Sequence, residues 1–385
     1  MNNTKFDDIA PLPEEAVKQA IKDLLADPGF EHAVRYIMPE ISWEEFSQQM
    51  LSFDTRKDFQ HIMIYQTMWA LASRVTSGLT GEGWENLEKG KCYTILTNHR
   101  DIVLDASFLN ILCVKHGYPT TEIAIGDNLL IHPWIETLVR LNKSFIVRRG
   151  ISVRQMLTAS KHMSEYIHYA INEKKESVWM AQREGRAKDS NDKTQESVLK
   201  MLSLAPEGGN FIDNLKDINI LPVSISYEYD PCDYLKAKEF QLKRDDPEYK
   251  KSQRDDLLNM EIGILGNKGK VVFRFGTCIN PELDKIKAIE SDKRIQAELV
   301  GKCIDNQIYQ NYEIFPCNYI AHDLFNNERR FTDKYTSEDV ENFKNYIYSQ
   351  LEKIDEIPHK DMPFLYSKML EMYSNTLKNH LRATE

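Results

Sequence analysis

The feature that most constrains this chain is a change of period along it. Between about residues 81 and 285, short β-forming runs alternate with stretches whose apolar residues recur three and four apart. The runs are CYTILT (92–97), SFIVRR (144–149), SVWMAQ (177–182), INILPVSISYEY (218–229) and GKVVFRFG (269–276). Helical stretches such as DASFLNILCVKHG and SVRQMLTASKHMSEYIHYAINE separate them. Strand and helix in alternation predict an α/β fold with a mixed, largely parallel central sheet flanked by helices. In such sheets the chemistry collects where strands end and loops begin.

Helical periodicity flanks this region on both sides. Residues 1–80 read as a helical N-terminal region, 81–285 as the α/β domain and 286–385 as a helical, charged C-terminal region. SWEEFSQQML opens with a capping-box pattern. The most apolar N-terminal stretch, DFQHIMIYQTMWALASRVTSGL, reads as a helix packed on the neighbouring domain rather than one lying in lipid, since it lacks a basic flank. The mixed-charge run KAKEFQLKRDDPEYKKSQRDDLL (236–258) reads as a solvated helix or loop.

Charge and cysteine usage narrow the function. A net charge of −10 argues against a general nucleic-acid binder, so an anionic ligand requires local basic clusters. The six cysteines are scattered and never form C-x-x-C, which suggests neither a zinc site nor a redox pair and fits reduced thiols in a cytoplasmic protein. The N-terminus shows no basic segment followed by an apolar one, and no segment offers the ~18 apolar residues a spanning helix needs. The expectation is a cytoplasmic protein, at most peripheral on the inner face of the cell membrane.

ILTNHRDIVLDASFLNILC (95–113) ends a β-run in a turn crowded with one histidine and two aspartates. His99 and Asp105 are six apart, about 120° around a continuous helix, so they can meet only if the helix starts after the histidine. In that arrangement a neutral imidazole can take a proton from a substrate hydroxyl, while a carboxylate on its other nitrogen holds the tautomer. The plainer alternative is a helix start, with Asp101 as a first-turn acid favoured by the helix dipole. His116, His132, His162 and His168 stand alone on helical patterns and match no metal-ligand spacing.

TNHRDIVLD resembles the first motif of the glycerolipid acyltransferases, Asn/Thr-His-x-x-x-x-Asp. Asp105 lies one residue beyond the usual acid position, which Leu104 occupies; a bulge in the turn would restore the pair, and Asp105 stands ahead of Asp101 as partner of His99. Three more stretches follow in the family's order. KSFIVRR, ending in Arg148 and Arg149, is similar to the second motif, with Lys143 at its glycine position; AQREGRAK, with Arg183, Glu184, Gly185 and Arg186, is similar to the third, one residue short of Glu-Gly-x-Arg. INILPVSISYE, with Pro222, is similar to the fourth. A rival third motif, APEGG (205–209), has no preceding β-run and no following arginine.

The arginines offer charge-assisted contacts to a substrate phosphate, and Glu184-Gly185 a tight turn against the ligand. Pro222, lacking a donor, suggests an edge or loop position beside the substrate channel. The resemblance implies direct acyl transfer from acyl-CoA or acyl carrier protein to glycerol-3-phosphate or a lysophospholipid, closest to the glycerol-3-phosphate branch. It implies His99 as general base, no metal, no resident cofactor, and peripheral membrane association. Two rivals remain: a metal-dependent phosphoesterase using His99, Asp101 and Asp105, and a non-catalytic lipid-binding module of the same fold. A lyso-aminolipid is the alternative acceptor.

Overall fold

The computed structural model describes residues 4–150 and 152–385. Helices α1 (Val17–Ala26), α2 (Pro28–Ile37), α3 (Trp43–Leu51) and α4 (Tyr65–Val75), with shorter helical turns between them, precede the sheet. The Ser42–Glu45 capping box at the start of α3 forms as its sequence predicts. α4 continues from a π-helical stretch, Phe59–Ile64, and buries Leu71, Ala72 and Val75 against the sheet's first layer of core. That apolar helix therefore packs on the neighbouring domain.

The sheet has seven strands: β1 (Gly78–Glu82), β2 (Thr94–Thr97), β3 (Glu122–Gly126), β4 (Ser144–Val147), β5 (Val178–Ala181), β6 (Ile220–Tyr227) and β7 (Lys270–Phe275). Their spatial order is β1-β7-β6-β2-β5-β3-β4, and every pair is parallel except β6–β7. The fold is thus mixed α/β and mostly parallel. β1 and β3 are strands that the sequence pattern did not announce.

Interleaved with the strands run α5 (Leu104–Lys115), α6 (Pro133–Leu141), α7 (Val153–Tyr169), α8 (Glu196–Leu202) and α9 (Phe211–Asp217). α10 (Asp233–Asp245) and α11 (Gln253–Leu265) form an excursion between β6 and β7. The chain closes with α12 (Asn280–Ile289), α13 (Lys293–Gln310), α14 (Pro316–Asn326), α15 (Ser337–Glu352) and α16 (Met362–Thr384). Both flanking regions share the sheet's core: Phe6 and Ile9 from the N-terminal side and Val300, Ile304 and Ile308 of α13 pack with Leu96, Phe145 and Ile220.

Two expectations are corrected. Pro222 is neither at an edge nor in a loop: it is buried within β6, paired with Leu96 of β2. Its missing N–H faces the β7 side just beyond the antiparallel ladder, which begins at Val223↔Phe275, and there its carbonyl accepts from Gly276 N at 2.9 Å. A ladder donor is therefore not lost. The mixed-charge run is solvated over most of 243–258 but not where it begins. In α10, Lys236 is 3% exposed and Glu239 7%, because Lys236 pairs with Asp230 and Glu239 with Lys188 and Lys243. Paired charges can be buried where single ones cannot.

α10 is tied to the C-terminal helices through Asp233. Its carboxylate accepts from Tyr234 N (2.6 Å), Gln350 Nε2 (2.8 Å), and the hydroxyls of Tyr346 and Tyr373 (both 2.7 Å). Burial, followed by repulsion from Asp230, outweighs these donors and pushes Asp233 up to about 7. The unfolded chain loses this proton near pH ~4, so between there and about pH 7 the folded state binds more protons and stability falls as pH rises. Denaturation midpoints measured from pH 5 to 7.5 should therefore fall with pH in the native chain, with part of that slope removed in Asp233→Asn. Equal slopes in both proteins would show that Asp233 ionises normally.

Candidate active site

The parallel strands bring the motif residues to one edge. His99 follows β2, Arg148 and Arg149 follow β4, and Arg183 to Arg186 follow β5; these strands run the same way, so all lie at carboxyl ends of the sheet. A cavity of about 850 Å³ opens there.

The turn after β2 is built around one carboxylate. Asn98, fully buried, donates to Ile225 O (2.9 Å) and accepts from Ile225 N (2.8 Å), clamping the end of β2 to β6. α5 begins only at Leu104, so His99 stands on the turn. Asp105 is fully buried, and its Oδ2 accepts from His99 Nδ1 (2.8 Å), Arg100 N (2.7 Å) and Asp101 N (3.1 Å). The turn wraps around the acid, which absorbs the extra residue. Leu104 is buried in the core instead.

With a carboxylate accepting at Nδ1, that nitrogen carries the proton and Nε2 keeps its lone pair. The His99 side chain is 13% exposed, lines the cavity and stands edge-on to Trp179 at 6.1 Å. Asp101 does different work. Its Oδ1 accepts from Val103 N (2.9 Å) and Leu104 N (2.8 Å), capping α5, and burial pushes its pKa up against the pull of Lys268. α11 approaches Asp101 so closely that only the glycine at Gly263 leaves room for the carboxylate.

One neighbour escaped the sequence reading. Tyr227, at the end of β6, is buried beside Asp105, and burial followed by the Asp105 and Asp101 charges holds its hydroxyl neutral. Its hydroxyl and Asp105 Oδ1 are both buried, and Asp105 Oδ1 takes no donor from the turn. Nothing in a β-run marks such a tyrosine from the sequence, because it depends on which strand lies beside β2.

The basic residues are unevenly available. Arg148 is exposed and donates only to the backbone carbonyl of Asp8 (3.3 Å); Arg149 stands 3.8 Å from the exposed Glu184. Arg186 donates to Asn259 of α11 (3.0 Å), while its Nη1 and the Nε of Arg183 are buried without partners. Lys188 and Lys251, by contrast, are matched by Glu239 and Asp256. Arg148, Arg183 and Arg186, none of them in an ion pair among the described residues, are therefore the cations most available to an anion. Gly185 sits at φ +69°, the left-handed region that favours glycine, and turns the chain between Glu184 and Arg186. Lys143, at φ +63°, holds the same region at the second motif's glycine position, its ammonium secured by Glu176 (2.8 Å) and Thr120 O (3.0 Å).

The rest of the cavity divides by polarity. Leu129, Val147, Met163, Met180 and Met201 line an apolar arm, and Lys236, Glu239 and Asn259 of α10 and α11 line a polar wall. Pro222 and the APEGG segment do not line it. Nor does the site gather metal ligands: among the described residues one such group was found, His322, Asp323 and Glu328, at the end of α14. There Asp323 is already bonded by Arg330 N, Phe331 N and the Tyr335 hydroxyl. Three of the four isolated histidines have structural partners, His162 with Asp8, His168 with Asp217 and His116 stacked on Trp84, while His132 is exposed.

The Acyltransferase family model matches residues 79–226, from β1 through β6. Over this segment the chain is similar to that family. Among solved structures the chain is similar to the 1-acyl-sn-glycerophosphate (LPA) acyltransferase PlsC from Thermotoga maritima, with 14% identity and a TM-score of 0.36 over 75% of this chain and 93% of that one. No curated protein matches. The matched segment contains His99, Asp105 and all four arginines, whereas α10, α11 and β7 lie beyond it.

The Asn98 clamp gives a stability prediction. Asn98→Ala leaves the buried Ile225 N–H and C=O unpaired, which should cost about 3 kcal/mol of unfolding free energy. A loss below about 1 kcal/mol by denaturant titration would mean that the turn is held elsewhere.

Proposed function

We propose that this protein is an O-acyltransferase that moves a fatty acyl group from acyl-CoA or an acyl carrier protein thioester to a hydroxyl of glycerol-3-phosphate or a lysophospholipid. The observation that carries the reading is the His99 Nδ1–Asp105 Oδ2 bond of 2.8 Å at a cavity that pairs free arginines with an apolar arm. Such a cavity suits a substrate with an anionic end and a hydrocarbon chain.

In this reading His99 Nε2 takes the proton of the acceptor hydroxyl as its oxygen attacks the thioester carbonyl carbon. Asp105 stabilises the imidazolium that forms. The tetrahedral oxyanion collapses with cleavage of the C–S bond, and the thiolate leaving group takes the proton back from His99. Arg148, Arg149, Arg183 and Arg186 hold the acceptor's anionic group, with Glu184 and Gly185 shaping the turn between them. The Met163, Met180 and Met201 side chains accommodate the acyl chain, a role that suits flexible, polarizable residues.

The step needs neither a metal nor a resident cofactor. Asp105 Oδ2 and Asp101 Oδ1 are held by backbone amides and His99, and His99, Asp101 and Asp105 do not gather as a metal-ligand group among the described residues, which disfavours the phosphoesterase alternative. We place the protein in the cytoplasm, peripheral on the inner face of the cell membrane, where its product resides. Among the described residues no helix is long and apolar enough to cross a membrane.

The test is acyl transfer by the purified chain and His99→Ala, offering acyl-CoA and acyl carrier protein donors with glycerol-3-phosphate, lysophosphatidate and a lyso-aminolipid acceptor, with and without chelator. The expected result is chelator-resistant product with one acceptor class and a loss of about a thousandfold in the variant. Product unaffected by losing His99, or none with any acceptor, would favour the binding-module alternative.

A further inference from the structure

From Arg148 to Lys161 the sequence carries four cations and no acid, in a chain whose net charge is −10. The first turns of α7 lie within this stretch. There Met156 is 51% exposed and Leu157 67%, although both are large apolar residues. Met156 and Arg148 also line the cavity, so the exposed strip continues directly into its mouth.

The charges on this strip are only partly neutralised. Lys161 pairs with Glu207, and Arg149 lies 3.8 Å from Glu184. Arg148 meets only a backbone carbonyl, and Arg154, also exposed, has no carboxylate partner among the described residues. Exposed apolar side chains beside unneutralised guanidinium groups complement an anionic lipid surface: the apolar groups enter the headgroup boundary and the cations meet lipid phosphates. The other exposed apolar pair near the cavity, Leu257 and Leu258 at 41% each, sits on α11 among Asp255, Asp256 and Glu261, whose charges oppose such a surface.

We propose that the first turns of α7 dock the protein on an anionic lipid bilayer, with Met156 and Leu157 inserted and Arg154 against lipid phosphates. This rests on the acyltransferase reading, because docking through this strip sets the cavity mouth against the pool of acyl chains. The acyl product then passes between cavity and bilayer without crossing water.

The experiment is flotation of the full chain with vesicles of phosphatidylcholine alone, or with about a third phosphatidylglycerol. Native protein should float with the anionic vesicles only, and Arg154→Glu/Leu157→Glu should lower the bound fraction about tenfold or more. Leu257→Ser/Leu258→Ser should float as native protein does. Absence of native binding, unchanged binding by the α7 variant, or loss confined to the α11 variant would each overturn the proposal. Turnover of a short, water-soluble thioester separates the two claims. Vesicle loss with that turnover retained supports docking, loss of both would assign the effect to a distorted site and overturn it, and binding as expected with no turnover in any protein would sink the acyltransferase reading alone.

Discussion

Everything at the candidate site depends on the buried Asp105 carboxylate. One oxygen, Oδ2, gathers His99 Nδ1 and two consecutive backbone amides, so a single charge fixes both the path of the turn and the orientation of the imidazole. A carboxylate out of water needs such donors, and here they come from the segment it must shape. The sheet supplies the rest of the rigidity: Asn98 fastens the strand before the turn to β6, and Asp101 starts the helix after it.

Around this turn the protein solves a charge problem. A chain of net charge −10 has to present cations to an anion without neutralising them by its own acids. It does so by pairing the lysines of the cavity wall with Glu239, Asp230 and Asp256, and by leaving guanidinium atoms of Arg183 and Arg186 unmatched. Asn259, a neutral residue from beyond the matched segment, orients Arg186 without cancelling its charge. The same division continues onto the surface before and along α7, where Arg148 and Arg154 have no acidic partner among the described residues.

Local pattern was enough to find the runs that became β2, β4, β5, β6 and β7, since each is a short apolar or β-branched stretch bounded by a change of period. β1 and β3 escaped it for physical reasons. β1 is an edge strand with two glycines and a single buried side chain, and β3 opens on Glu122, whose charge is met inside the protein by Lys174 and the Tyr166 hydroxyl. The same blindness to distant partners made Lys236 and Glu239, at the start of the mixed-charge run, look solvated and Pro222 look peripheral. The site was legible where its residues are consecutive, as in the His99 turn and the arginine pairs. It was not legible where it depends on neighbours across the sheet, as with Tyr227 and Asn259.

The claim at the centre of this account is that Asp105 holds His99 in the tautomer that accepts a proton. Single-turnover acyl transfer by Asp105→Asn tests it most directly, because the amide keeps the size of the carboxylate and an oxygen for the turn's backbone donors but removes the charge. The account predicts a chemical step slower by about a hundredfold or more, with acceptor binding unchanged. An unchanged chemical step would contradict it, leaving Asp105 as the acid that folds the turn and nothing more.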